Sequence, residues 1–223
     1  MITRIEAHNY RCFPKLAIDL DRYHVLAGAN GAGKTTLLDI PVLLGDMLAR
    51  AGVVAAFLER QGSGRSPRAG ALTDPLYKGH GDAVAFAVEA KLPPPVAEAL
   101  GETSMAHLGG PVPTHVRYEL RLEIASHSMR VADEYLFLFN EADARPEPEV
   151  FPQGRSVVGT ALRDERWRSV IHREGGPLTK FTPETTTQAT DMLPVQLPPT
   201  QLALANVLPD QTLYPAAIWF AGL

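Results

Sequence analysis

The segment Gly28-Ala29-Asn30-Gly31-Ala32-Gly33-Lys34-Thr35 satisfies G-x-x-x-x-G-K-[ST], and it constrains the fold more than any other stretch of the chain. Each residue type at that spacing has a physical reason. The glycines let the backbone take positive φ and approach an anion with no Cβ in the way. Successive N–H groups then form a concave nest for a phosphate. A helix beginning near Lys34 aims the positive end of its dipole at the same phosphate. Lys34 supplies a mobile positive charge for the β- and γ-phosphates, and the Thr35 hydroxyl is placed to ligate Mg²⁺. The motif therefore asks for a strand, this loop and a helix in succession. The expected ligand is ATP with Mg²⁺, held by Gly28, Ala29, Asn30, Gly31, Ala32, Gly33, Lys34, Thr35 and Thr36, with Thr35 on the metal.

The flanking sequence supplies both elements. Ile2 to Ala7, Leu16 to Leu20 and His24 to Gly28 are brief apolar runs that read as strands, with turns at Pro14-Lys15 and Asp21-Arg22. The third run ends directly in the glycine-rich loop. A helical pattern then runs from Lys34 to about Arg60, with Leu37, Leu38, Val42, Leu44, Met47 and Leu48 apolar, and a kink is expected at Pro41. Gln61 to Gly79 reads as a loop, in which Arg65 and Arg68, with Arg60 before it, are expected to be solvated.

The middle of the chain changes character. Val84, Phe86 and Val88 alternate until Leu92-Pro93-Pro94-Pro95 stops the strand, and Val96 to Leu108 reads as short helix or irregular chain. From His115 to Ala125 the period of two is strict. Val116, Tyr118, Leu120, Leu122 and Ile124 take one face; Arg117, Glu119, Arg121 and Glu123 take the other. Met129 to Phe139 returns as a hairpin partner. Glu141 to Gly154 reads as a loop, and Trp167 to Glu174, Gly175-Gly176 and Leu178 to Thr182 read as a further hairpin. Tyr118 and Tyr135 are expected to pack, and Trp167 to hold a half-buried strand position. This antiparallel meander differs from the β-α alternation of a doubly wound fold. From about Pro183 the tail is rich in Pro, Thr and Gln. It ends in the apolar run Ala216 to Leu223, whose Trp219 and Phe220 are expected to be exposed and to invite a partner.

Bulk properties exclude several classes. Apolar residues make up 45% of the 223, enough to bury a core, and the net charge of -4 argues against a polybasic nucleic-acid or membrane arm. The single cysteine, Cys12, allows no internal disulfide, and the seven histidines show no metal-ligand spacing. The start lacks a signal-peptide h-region, and Asp46 and Arg50 interrupt the longest apolar stretch. A cytoplasmic protein with no membrane partner is expected.

Asn30-Gly31-Ala32-Gly33-Lys34-Thr35-Thr36-Leu37-Leu38-Asp39 resembles the P-loop of SMC/RecF-like, ABC-type ATPases. Ile5-Glu6-Ala7-His8-Asn9-Tyr10-Arg11-Cys12-Phe13 resembles their opening strand and its N-F-R-x-F turn. Leu202 to Asn206 through Trp219-Phe220 resembles bacterial "AAA family ATPases" that share the ABC head fold. The resemblance is specific over residues 1–40 and looser beyond. It implies a mixed α/β (α+β) fold, the N-terminal lobe of an ABC-type P-loop head. Its Walker A strand-loop-helix would sit beside an antiparallel β subdomain. It also implies that Arg11 reaches toward the nucleotide phosphates, and that two heads sandwich two ATPs and act on DNA or move attached elements.

The departures carry equal weight. A Walker B strand, four apolar residues before Asp-Glu, would hold Mg²⁺ and orient the attacking water. The nearest match, Val131-Ala132-Asp133-Glu134, is broken by Arg130 and lies inside the hairpin, so a surface acidic pair is expected there. Gly109-Gly110 and Gly175-Gly176 lack the Leu-Ser of a signature loop and read as turns. No switch histidine and no catalytic residue can be assigned.

The chain therefore reads as one incomplete head: residues 1–60 with the P-loop, 80–182 as meander, and 183–223 leading to a missing second lobe. That lobe would come from the same chain or another, the heads would pair as a homodimer, and DNA or an effector nuclease are the further partners expected. ATP hydrolysis in DNA maintenance or defence is the leading function. The alternative is a nucleotide-binding module that does not hydrolyse. A small-molecule kinase or GTPase fits less well, because lid arginines and an N-K-x-D motif are absent.

Overall fold

The computed structural model describes residues 1–49, 52–60, 66–102, 112–125, 128–140, 167–185, 194–207, 209–210 and 212–223. The strands are β1 (Ile2–Tyr10), β2 (Phe13–Asp19), β3 (Ala83–Lys91), β4 (His115–Ala125), β5 (Ser128–Phe139), β6 (Arg168–Glu174), β7 (Leu178–Phe181) and β8 (Val195–Gln196). They form one antiparallel sheet in the order β2-β1-β3-β4-β5-β6-β7-β8. The helices are α1 (Lys34–Ala49), α2 (Val53–Leu58), α3 (Pro94–Glu102) and α4 (Pro215–Ala221). The fold is mixed α/β, and the expected meander forms its larger part. No helix among the described residues is long and apolar enough to cross a membrane.

Period-two patterning sorts the sheet into two faces. Ile5, Ala7, Val84, Phe86, Val88, Val116, Tyr118, Leu120, Leu136 and Leu138 share one core with Leu37, Ile40, Leu43, Leu44 and Met47 of α1. The opposite face carries charge. Register aligns Arg4, Glu89, Arg117 and Phe137 in one row and Glu6, Ala87, Glu119 and Tyr135 in the next. Arg117 bonds Glu6 at 2.9 Å, Glu89 at 2.8 Å and Glu119 at 2.6 Å, and all four residues are buried. Arg4 adds a second cation to Glu6 at 2.6 Å. Burial pushes the Glu6 carboxyl up, but its bonds to Arg117 and Arg4 outweigh that and hold it below the ordinary value. Tyr135, Phe137, Phe139 and Trp167 form a buried aromatic cluster, with Phe139 stacked on Trp167 at 4.4 Å.

Several expectations need correction. The first turn lies at Arg11-Cys12, so Pro14 and Lys15 belong to β2. His24 to Gly28 is not a strand: it pairs with nothing in the sheet, and Tyr23 and Val25 are 91% and 88% exposed. The single long helix is two, because Gly52 stands before α2 in extended backbone while Val53 N–H donates to Thr200 O at 2.8 Å. Pro41, where a kink is expected, lies inside α1 as the sequence placed it. Trp167 is buried rather than half-buried and precedes β6. The apolar end is largely covered: Ala216, Ala217 and Phe220 of α4 are buried and Trp219 is partly buried against the core, while Leu223 is exposed. The loop from Glu141 to Gly154, the pair Gly109-Gly110 and Arg65 lie outside the described residues.

Candidate functional site

The glycine-rich loop has the positive φ angles and the following helix that its sequence asks for, without the preceding strand. Gly28, Gly31 and Gly33 take φ of 155°, 83° and 91°, where an L side chain would be strained. α1 starts at Lys34, its first closing bond running from Leu37 N–H to Gly33 O at 2.9 Å. No acidic residue occupies its first turn, so the helix dipole there is left unbalanced. Gly28 to Gly31 and Thr35 are exposed. Lys34 Nζ donates to the carbonyls of Gly28 at 2.7 Å and Ala29 at 2.8 Å, so the cation is folded back over its own loop.

The β1-β2 turn presses on this loop. A Cβ at Gly33 would stand 2.6 Å from the Phe13 ring and 2.8 Å from Cys12 Sγ. Glycine is therefore required at Gly33 for contact as well as for φ. The turn is itself strained, with Asn9 at φ 53° and Arg11 at φ 50°. Asn9 Nδ2 holds it by donating to His80 O at 2.9 Å and Ala83 O at 2.8 Å, while Arg11 N–H donates to Pro75 O at 2.7 Å.

Arg11 is thus next to the residues that touch Gly33, but its guanidinium points elsewhere. It donates to Arg68 O at 2.9 Å and lies 4.0 Å from Asp39. Arg68 is not the solvated arginine expected from its loop: its side chain is 3% exposed. It bonds both oxygens of Asp39 at 3.1 Å and Asp46 at 2.6 Å, both on α1, and Ala56 O at 3.1 Å on α2. Asp39 and Asp46 are spaced two turns apart on one helix face, a signal that the sequence reading of Arg68 did not use.

The Walker B candidate has a different role. Glu134 lies within β5, fully buried, and is no surface residue. Its carboxylate accepts from the N–H groups of Ala203 and Leu204 and from Tyr118 Oη, the last two at 2.8 Å. Burial raises it above the ordinary carboxyl value, against the pull of those three donors. Asp133 accepts from Arg121 at 3.1 Å and from Gly175 N–H at 3.0 Å. Both acids are spent on structure. Among the described residues, no group of three or more His, Cys, Asp or Glu could hold a metal.

No family model and no curated protein matches the chain. Among solved structures, it is similar to one from the structural biochemistry of ATP-driven dimerization and DNA-stimulated activation of SMC ATPases. That likeness covers 60% of this chain and 68% of the other, at 17% identity and a TM-score of 0.37. It is loose at both levels.

Proposed function

We propose that the chain binds ATP through residues 28–36, as the P-loop lobe of an SMC/RecF-like ATPase. The observation that carries this reading is the loop itself: three glycines at positive φ, an unbalanced helix start at Lys34, and an exposed rim. The β-phosphate sits in the nest of N–H groups, and Lys34 Nζ leaves the Gly28 and Ala29 carbonyls for the phosphate oxygens. Asp39, one turn beyond Thr35, is engaged by Arg68. The exposed Thr35 hydroxyl is thus the ligand the loop offers to Mg²⁺ arriving with the triphosphate. Arg11, released from Arg68 O, is the cation nearest in sequence to the turn that touches Gly33.

Hydrolysis needs an acid that orients water, and Glu134 is already saturated with donors. In this reading it comes from a second lobe, and residues 20–29 and the outer side of α1 receive that lobe. Residues 20–29 form no strand, although Leu20 N–H donates to Thr3 O of β1 at 2.8 Å. Leu38 and Val42 are 63% and 53% exposed on the side of α1 away from the core. A groove of about 380 Å³ continues that surface between Pro41, Val42, Gly45 and Leu48 on one wall and Phe220 and Leu223 on the other. Action on DNA and pairing of two heads belong to this same proposal.

The test is Mg²⁺-dependent ATP binding and steady-state hydrolysis by the purified chain, with Lys34→Ala beside it. Binding without turnover, lost in the variant, is expected. Equal ATP affinity in both proteins would defeat the reading, and turnover abolished by Lys34→Ala would require an acid within this chain.

A further inference from the structure

Strand β2 (Phe13–Asp19) ends the sheet, with β1 as its neighbour on one side. In an antiparallel ladder the backbone groups of alternate residues turn to opposite edges. Leu20 N–H donates to Thr3 O at 2.8 Å in register with the β1-β2 ladder, so Leu20, Ile18 and Leu16 turn theirs toward β1. Lys15 and Ala17 therefore turn theirs outward, and among the described residues no backbone bond to another element uses them. Pro14 falls on the β1 side of this alternation, so its missing N–H does not interrupt the outer edge. Side chains alternate as well. Leu16 and Ile18 are half-buried against the core, while Lys15, Ala17 and Asp19 are exposed on the charged face.

We propose that β2 pairs antiparallel with β2 of a second copy of this chain, about a two-fold axis at Ala17, with no nucleotide required. A lysine on an edge strand ordinarily repels a copy of itself. Here Lys15 stands two residues before Ala17 and Asp19 two residues after it. Antiparallel pairing centred on Ala17 therefore sets Lys15 of each copy opposite Asp19 of the other, on one face and at both ends of the contact. Ala17 meets Ala17 at the axis, where each outward N–H donates to the other's C=O. On the core face Leu16 comes opposite Ile18 and Ile18 opposite Leu16, so the half-buried apolar positions cover one another. The strand is thus self-complementary, as a two-fold contact requires. A slip of one residue would set outward backbone groups against inward ones and apolar side chains against charged ones. Asp19 bonds Arg4 at 2.7 Å, yet its side chain is 69% exposed, so it can take a second cation from the outer side. The contact uses none of residues 28–36, and it stands or falls apart from the nucleotide-binding reading.

Sedimentation equilibrium of the purified chain without nucleotide tests this. The apparent mass should climb from 24.2 kDa toward twice that value between about 10 and about 500 µM, since a short strand edge makes a weak dimer. Ala17→Pro removes the outward N–H at the axis and spares the β1 ladder, while Lys15→Glu sets like charges opposite each other. Each should weaken association at least about tenfold. Asp19→Lys should do the same alone. An equimolar mixture of Lys15→Glu with Asp19→Lys should associate again, because every cross-strand charge pair is then of opposite sign. Lys34→Ala should associate like the wild type. A wild type that stays monomeric to about 500 µM overturns the proposal and leaves the edge to a strand of the second lobe or of another protein. So does a dimer that Ala17→Pro and Lys15→Glu leave unchanged, which would be built on another surface, or a mixture no more associated than its separate components. If Asp19→Lys, which loses its bond to Arg4, does not fold, the other two variants still decide.

Discussion

The charged rows of the sheet and the glycine-rich loop are two polar regions treated in opposite ways. On the sheet, Arg117 is buried against Glu6, Glu89 and Glu119, and the register of β1, β3 and β4 brings them together. At the loop, Lys34 meets backbone carbonyls on an exposed rim, and residues 24–28 before it pair with no strand. The first arrangement is finished within the chain; the second is open to a ligand. Charge that specifies a fold is buried with its partners. In the proposed function, the charge left near water at the loop is the one for which a phosphate competes.

Replacing Arg117 by alanine should give the largest effect on stability, about 3–5 kcal/mol by urea unfolding, because buried Glu89 and Glu119 lose the Arg117 guanidinium and Glu6 keeps only Arg4. A loss under about 1 kcal/mol would erase the contrast, for it would mean the row is wet. Lys34→Ala should reverse the pattern. ATP affinity should fall about 100-fold, close to 3 kcal/mol, with unfolding free energy changed by less than about 0.5 kcal/mol. A large loss of stability instead would make Lys34 a structural residue.

Gly33→Ala tests the border between the two regions. The added Cβ meets Phe13 and Cys12 at φ 91°, so about 2 kcal/mol of stability should go, together with ATP affinity. Affinity lost at full stability would show that the turn yields. Arg68→Ala should cost about 1–2 kcal/mol, less than Arg117→Ala, because its partners Asp39 and Asp46 are 23% and 30% exposed and water replaces it in part. Thermal denaturation would rank the two, and an equal loss would place Arg68 in the same class as the buried row.

The sheet was legible because its signal is local and periodic. Val116 to Ile124 alternate, and β4 spans the expected residues. What sits on the far side of that alternation was not legible. Arg117 and Glu119 look like a solvated face until Glu6 and Glu89 arrive from strands distant in sequence. The same holds for Glu134 and Glu184. Each finds its backbone N–H partners tens of residues away, where no short-range pattern reaches. The loop was legible because its glycines stand where the backbone takes positive φ, which they alone adopt without strain. The strand expected before it was not formed, although His24 to Gly28 has the right residues, because strand propensity needs a neighbour to bond to. Arg68 was misjudged for a related reason. Its loop is rich in Gly and Pro, yet Asp39 and Asp46 on α1 capture it.

The contact between the β1-β2 turn and Gly33 has a practical consequence. Cys12 carries the only thiol in the chain, it is exposed, and its sulfur lies against the glycine-rich loop. A fluorophore attached there would label one known place without any engineering of the sequence. The molecule thus arrives with its own reporter, positioned where a change in loop occupancy would alter the colour or brightness of a dye.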